Sequence, residues 1–95
     1  MMRAEKMVII GNKRGIHGRV ATRLASIAVS HDVRLFLCHA EKKVECSSIL
    51  DVLSLALARG ATVGLVAEGP QAELALAAAV GIINAQDDAR HDPSG

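Results

Sequence analysis

The spacing at which apolar residues recur changes several times along the chain, and each change marks the start of a new predicted element. An apolar run at residues 7–10 predicts the first strand. Apolar residues then recur at three- and four-residue spacings from residue 18 to about residue 30, which predicts an amphipathic helix. Strict alternation returns over residues 33–38 and 43–46, and this predicts a hairpin of two strands with its tip at Ala40-Glu41.

The second half of the chain shows the same succession of periods. Ser48, followed three residues later by Asp51, predicts a capping box and a short helix that runs to about residue 58. Residues 62–67 alternate and predict a fourth strand, and the alanine-rich stretch 71–84 predicts a last helix. The order β-α-β-β-α-β-α, with strands that are polar on one side, predicts a two-layer α+β sandwich.

The hairpin register decides which side chains reach the core. A tip at Ala40-Glu41 places Leu37 opposite Val44 on the core side, whereas Cys38 points to the other face, so a Cys38–Cys46 disulfide would need a different register. Phe36 shares the outer face with Cys38. We expect its ring to be exposed there, where it would offer an oligomer contact.

Length and composition limit the classes of protein that fit. Ninety-five residues, 51% of them hydrophobic, predict one folded domain over residues 1–85, followed by an acidic tail, residues 86–95, that we expect to be disordered. No segment has the ~20 consecutive apolar residues of a membrane span, and the first residues lack the pattern of a signal peptide. Two cysteines favour a reducing, cytoplasmic location. Phe36 is the only aromatic residue, which argues against nucleic-acid binding by base stacking.

Charge is unevenly distributed along the chain. Seven basic and two acidic side chains fall within residues 1–34, a local charge of +5, although the whole chain carries only +1. A local positive field without a global one favours a small anionic ligand or an acidic partner over duplex DNA.

His17 lies at the predicted junction between the first strand and the first helix. Free amides and the dipole at a helix N-terminus bind anions, and Gly15 and Gly18 allow the backbone to approach a ligand closely. A neutral imidazole at that point can accept a phosphoryl group. On spacing alone, an exposed loop histidine beside a solvated basic patch is the alternative. The neighbouring basic side chains are Lys13, Arg14, Arg19 and Arg23.

Three segments together resemble one protein family. Residues 12–19 resemble the active-site segment of HPr, the histidine-containing phosphocarrier of the bacterial phosphotransferase system. Residues 48–55 resemble that family's second-helix segment with its regulatory serine, and residues 60–69 are similar to its last strand and turn. The resemblance covers roughly residues 6–84 in order, and it implies a four-stranded antiparallel sheet, in the order 1-4-2-3, under three helices.

The resemblance also implies a carrier function. Enzyme I would pass a phosphoryl group from phosphoenolpyruvate to Nδ1 of His17, and the carrier would pass it to an enzyme II A component in sugar uptake or in a nitrogen branch. The protein would not be an enzyme, because it is itself consumed and regenerated. Arg19 would neutralise the phosphoryl oxygens, and the backbone of Gly18, Arg19 and Val20 would bind them. No cofactor and no metal is implied.

Ser48 has two interpretations that are compatible. The structural one is a helix N-cap, and the functional one, by resemblance, is phosphorylation by an HPr kinase/phosphorylase. The added charge would lie beside Ile49, Leu50 and Leu53, which resemble the family's apolar docking patch for partners. Part of this trio would equally fit a core position on a short helix.

Departures from the family pattern keep other functions open. Val20 stands where the family usually has proline, and Asp51 adds a negative charge to a patch that is usually neutral or basic. These departures fit a regulatory adapter that acts by docking under the control of Ser48. A small-molecule-binding module is a third possibility, for which no dedicated pocket residues are evident. His31 and His91 show no metal-ligand spacing.

Overall fold

Four antiparallel strands form one sheet in the computed structural model, which describes residues 2–86. The sheet order is β1-β4-β2-β3, and three helices cover one of its faces. This is the open-faced α+β sandwich that the resemblance implied. The elements in chain order are β1 (Arg3–Ile9), α1 (Gly18–Ser30), β2 (Arg34–His39), β3 (Lys42–Glu45), α2 (Ile49–Ser54), β4 (Thr62–Glu68) and α3 (Ala72–Asn84).

The core lies between the helices and the covered face of the sheet. Leu35, Leu37 and Leu65 alternate with outward residues along β2 and β4, and all three are fully buried. Val20 and Leu24 of α1 are fully buried on the helical side. Each such aliphatic side chain stabilises the fold by about 1.5–3 kcal/mol relative to an exposed position. Helix α1 is therefore firmly anchored, and the position of its first turn is fixed.

Strand β1 begins earlier than its apolar run predicted. It starts at Arg3 rather than at residue 7, and it pairs with β4 from Arg3 opposite Glu68 to Ile9 opposite Thr62. The polar residues at its start gave no strand signal because β1 is an edge strand with one open face. Backbone pairing to β4, which the local pattern does not reveal, extends it.

The hairpin register is confirmed. Leu37 lies opposite Val44, and the amide of Cys46 donates to the carbonyl of Leu35 at 2.7 Å. Cys46 is fully buried, and burial raises the pKa of its thiol to about 12. Cys38 is half-buried on the opposite face, and both thiols are free.

The expected exposure of Phe36 was wrong, although the ring does lie on the open face of the sheet. Only 9% of the residue is exposed. The guanidinium of Arg34 lies 5.0 Å from the ring centroid and the ammonium of Lys43 lies 4.5 Å from it. Arg34 is itself held by two hydrogen bonds to Glu45, at 3.1 and 3.3 Å. Cation–π contacts thus cover the ring, which leaves little of its surface for a contact with another chain.

Helix α2 is shorter than predicted. It ends at Ser54 rather than near residue 58. Ala56 adopts a φ of 51°, a left-handed conformation that cannot continue a helix. The chain therefore leaves the helix early and enters the loop at residues 57–61, which contacts the segment before α1.

Candidate functional site

His17 caps α1 with its own ring. Its backbone is extended, with φ −108° and ψ −174°, and Nδ1 accepts a hydrogen bond from the amide of Arg19 at 3.3 Å. The first backbone bond of the helix is donated by Ala21 to the His17 carbonyl, at 2.9 Å. The acceptor role of Nδ1 requires an unprotonated nitrogen, so the ring proton belongs on Nε2. The nucleophilic lone pair thus faces the first turn of the helix.

The electrostatics of this turn favour an anion. Amides of the first turn have no carbonyl partner within the helix, and the helix dipole places partial positive charge on them. The first turn of α1 contains no acidic residue. The predicted basic side chains Lys13, Arg14, Arg19 and Arg23 are all exposed, whereas His17 is half-buried. A phosphoryl group at this position would meet positive charge and no competing carboxylate from that turn.

Gly15 fixes the loop that leads into His17. Its φ is 71°, and a Cβ at this position would collide with the carbonyl oxygen of Leu57. The next amide, that of Ile16, donates to that same oxygen at 3.0 Å. The loop after α2 therefore holds the chain immediately before His17, and only glycine fits at residue 15.

Asn12 is a contributor that sequence reasoning missed. It is 1% exposed, and its Nδ2 donates to the carbonyl of Ala85 at 2.6 Å. Its own carbonyl accepts the amide of Gly15 at 3.0 Å, and its Oδ1 has no hydrogen-bond partner within residues 2–86. In the sequence, Asn12 was the first residue of the segment that resembles the family's active site, and no role was predicted for it. Its burial shows instead that it ties the His17 loop to the C-terminal end of α3.

Gly18 and Val20, predicted to bind phosphate, differ in their surroundings. A Cβ at Gly18 would have no heavy atom within 4 Å, so the position is open. The side chain of Val20 is fully buried in the core, so only its backbone faces outward in the first turn. The two residues therefore offer amides to a ligand, whereas Arg19, which is exposed, also offers a charged side chain.

Ser48 occupies the N-cap position of α2, as predicted, but the predicted capping box does not form. Its side chain makes no capping hydrogen bond. Its amide donates to the carbonyl of Glu45 at 2.9 Å, which leaves nothing for Asp51 to accept in a capping box. Ser48 is half-buried at the start of a helix of only six residues.

The predicted docking patch is divided by burial. Leu50 is 79% exposed, whereas Ile49 and Leu53 are partly buried and pack against the core. Val52, on the inward side of the same helix, is fully buried. Asp51 is exposed next to Leu50, so the outer surface of α2 carries one apolar and one acidic side chain side by side.

Other candidate ligands do not come together. Within residues 2–86, no three His, Cys, Asp or Glu side chains are grouped so that they could hold a metal ion. The ring of His31 instead lies at the end of α1, with Nδ1 2.9 Å from the carbonyl of Ile27. His91 lies outside the part of the chain that the structure describes. Over the described residues, no helix is long and apolar enough to cross a membrane.

Comparison with known proteins decides the family. The family model PTS-HPr, described as the PTS HPr component phosphorylation site, matches residues 4–85. The chain belongs to this HPr family. It is 36% identical over 88 residues to the phosphocarrier protein NPr of Shewanella violacea, across 93% of this chain and 97% of that one. It is 34% identical over 88 residues to the phosphocarrier protein NPr of Escherichia coli, across 92% and 98% of the two chains.

Solved structures agree with this assignment. The phosphocarrier protein HPr from Bacillus anthracis superposes with a TM-score of 0.80 at 28% identity, over 87% of this chain and 99% of that one. Proteins of the HPr family are phosphocarriers of the phosphotransferase system and not catalysts, and their family implies interaction with the enzymes of that system.

Proposed function

We propose that this protein carries a phosphoryl group on Nδ1 of His17, received from enzyme I and passed to an enzyme II A component. The observation that supports this proposal is the hydrogen bond from the Arg19 amide to Nδ1, which directs the nitrogen lone pair into the first turn of α1. In the transfer, a bond forms between Nδ1 and phosphorus as the bond between phosphorus and its donor on enzyme I breaks. The reverse exchange hands the group to the acceptor, so the carrier is regenerated.

The same turn supplies the groups that would stabilise the phosphorylated form. Once Nδ1 is bonded to phosphorus it no longer accepts the Arg19 amide, and that amide becomes available to a phosphoryl oxygen. The amides of Gly18 and Val20 lie in the same turn. The exposed guanidinium of Arg19 adds a charge-assisted, forked donor. A helix terminus that is already assembled needs little rearrangement to hold the product.

Partners would dock beside the site, through Leu50 and the partly buried Ile49 and Leu53. Helix α2, which carries this patch, packs against α1. The relatives named NPr favour the nitrogen branch over sugar uptake. We place the exchange in the cytoplasm, where phosphoenolpyruvate is produced.

Regulation through Ser48 is a second candidate function. The Ser48 hydroxyl makes no capping bond, and the exposed Leu50 and Asp51 lie in the turn that follows. A phosphate at Ser48 would place two negative charges against this apolar surface and weaken partner docking. In this adapter mechanism, an HPr kinase/phosphorylase controls binding, and transfer through His17 is secondary.

Labelling with phosphoenolpyruvate and enzyme I tests the carrier function. We expect an acid-labile phosphate that disappears in His17→Ala and persists in Ser48→Ala and in the control His31→Ala. Faster labelling by an enzyme I of the nitrogen branch than by a sugar-branch enzyme I would support the branch assignment. Label that survives His17→Ala would overturn the carrier proposal. For the second candidate, ATP and an HPr kinase should give an acid-stable phosphate that Ser48→Ala removes.

A further inference from the structure

The face of the sheet opposite the helices contains an apolar depression at its centre. Gly64 forms the floor, Met7 of β1 and Cys38 of β2 form two sides, and Glu5 lies at one end of a space of about 370 Å³. A Cβ at Gly64 would lie 3.4 Å from Sδ of Met7 and 3.5 Å from Cβ of Cys38, so the missing side chain creates the depression. Met7 is 64% exposed and Ile9, two residues along the same strand, is 54% exposed. An apolar recess thus lies directly beside apolar side chains that project into solvent.

We infer that this face binds a second copy of the chain. The two copies would be related by a two-fold axis that runs parallel to the strands, above the open face and over the boundary between β1 and β4. Within the sheet, Met7 is opposite Gly64 and Ile9 is opposite Thr62. A two-fold rotation about this axis exchanges the two strands and keeps each residue at its level. Met7 of each copy then enters the recess at Gly64 of the other, and Ile9 covers Thr62. Such isologous contacts need one self-complementary face, which is what the register supplies.

The charged residues at one end of the same two strands would be complementary between two copies of the chain. Arg3 is opposite Glu68 in the sheet, and their side chains lie 3.7 Å apart. The same rotation places Arg3 of each copy over Glu68 of the other, so the two opposite charges meet twice. Glu5 lies at the level of Val66, between Arg3 and Met7 on the same face, and it is exposed and paired with Arg3. It therefore belongs to the charged end of the contact, beside the apolar end at Met7 and Ile9. A partner of uniform charge would be repelled by one member of each pair.

The size of the face sets the strength of the association. Two seven-residue strands span roughly 24 Å by 10 Å, which is well below the ~800 Å² per partner of a stable dimer. The dimer is therefore weak and forms at high protein concentration. It covers the sheet and leaves the helical layer free, so His17 of both copies stays accessible.

Sedimentation equilibrium up to a protein concentration of about 1 mM tests the contact. We expect reversible dimerisation that Met7→Glu weakens about tenfold or more, because a carboxylate would enter an apolar recess. Leu74→Glu is the matched control, since Leu74 of α3 is also 64% exposed, and it should change dimerisation less than about twofold. A chain that stays monomeric throughout this range, or Met7→Glu with no effect, would overturn the proposal.

A charge-swap mixture tests the geometry of the dimer. Arg3→Glu alone and Glu68→Arg alone place like charges over one another twice, so each should fail to dimerise. In an equal mixture, every cross-copy pair is again opposite in charge, whereas the pair within each chain stays repulsive. Recovery of dimers only in the mixture supports the proposed axis. A mixture that sediments like its separate components contradicts it.

Discussion

Helices α1 and α2 both begin at a polar N-cap residue, yet only at α1 does the side chain of that residue bond to the first turn. At α1, the ring of His17 accepts the amide of Arg19, and the helix continues for thirteen residues. At α2, the hydroxyl of Ser48 makes no capping bond and the helix has six residues. The comparison shows that a suitable residue at an N-cap position does not ensure that its side chain turns toward the helix.

The segments that enter the two helices also differ. Before α1, the loop is clamped by the Asn12 side chain on Ala85 and by the Ile16 amide on Leu57, so the orientation of His17 is imposed from outside. Before α2, the amide of Ser48 is already bound to the carbonyl of Glu45, and a tight turn brings the chain in from β3. The clamped loop before α1 holds the acceptor nitrogen of His17 in place, whereas the hydroxyl of Ser48 makes no capping bond.

Substitution at Gly15 should produce the largest effect, because it disrupts the contact between the loop before α1 and the Leu57 carbonyl. Gly15→Ala places a Cβ against the Leu57 carbonyl at a positive φ, and we expect it to lower the free energy of unfolding by roughly 2–4 kcal/mol. Phosphorylation of His17 should slow as the loop moves. Gly18→Ala is the control, since its Cβ has open space, and should be neutral or stabilise by up to ~1 kcal/mol. Urea unfolding of both variants checks this, and equal stabilities would contradict the clamp.

Substitution of Arg19 tests whether transfer depends on a cation next to His17 or only on the net positive charge of α1. Arg19→Ala should slow phosphoryl transfer from enzyme I by about 10- to 100-fold, because a charge-assisted hydrogen bond to the phosphoryl group is worth roughly 1.5–3 kcal/mol. Arg23→Ala, which removes an exposed cation one turn further along α1, should change the rate by less than about threefold. Steady-state transfer kinetics measure both. Equal losses in the two variants would mean that only net charge matters.

Leu50 tests whether the exposed side of α2 serves docking rather than folding. Leu50→Ala should leave the free energy of unfolding within ~0.5 kcal/mol, since the side chain is 79% exposed, but should weaken enzyme I binding by about tenfold. Val52→Ala, on the buried side, should cost about 2 kcal/mol of stability. Calorimetric titration with enzyme I and thermal unfolding separate these effects. Binding that Leu50→Ala leaves unchanged would exclude the patch.

Ser48 should show the smallest effect. Loss of a working N-cap costs about 0.5–2 kcal/mol, but Ser48 has no capping bond to lose. We therefore expect Ser48→Ala to change the free energy of unfolding by less than ~0.5 kcal/mol. Denaturation of this variant at neutral pH measures it, and a loss above 1 kcal/mol would show that the hydroxyl caps α2 in solution.

Local patterns predicted most of the fold but not the contacts that complete the site. The period of α1 gave its bounds, and alternation in β2 and β3 gave the hairpin register. The N-terminal half of β1 and the early end of α2 depend on pairing to β4 and on one left-handed residue, Ala56, which no periodic pattern encodes. Phe36 was misjudged because its cover comes from side chains on two strands.

The sequence also predicted only part of the candidate site. The position of His17 at a helix start followed from the sequence, since it depends on local pattern and on family resemblance. The role of Asn12 did not, because its partner, Ala85, is 73 residues away along the chain. The failure of the capping box at Ser48 was equally hidden, because the sequence satisfies the capping pattern but the Ser48 amide donates to a backbone carbonyl, that of Glu45, and not to Asp51.

The state of the two His17 ring nitrogens tests the central claim most directly. Nitrogen-15 NMR of the labelled protein at about pH 8.5, where an ordinary histidine is neutral, reports which nitrogen carries the proton. We predict a proton on Nε2 before reaction and phosphorus on Nδ1 after incubation with phosphoenolpyruvate and enzyme I, together with a shift of the Arg19 amide signal. A proton on Nδ1 in the free protein, or phosphorus on Nε2 after reaction, would contradict the account.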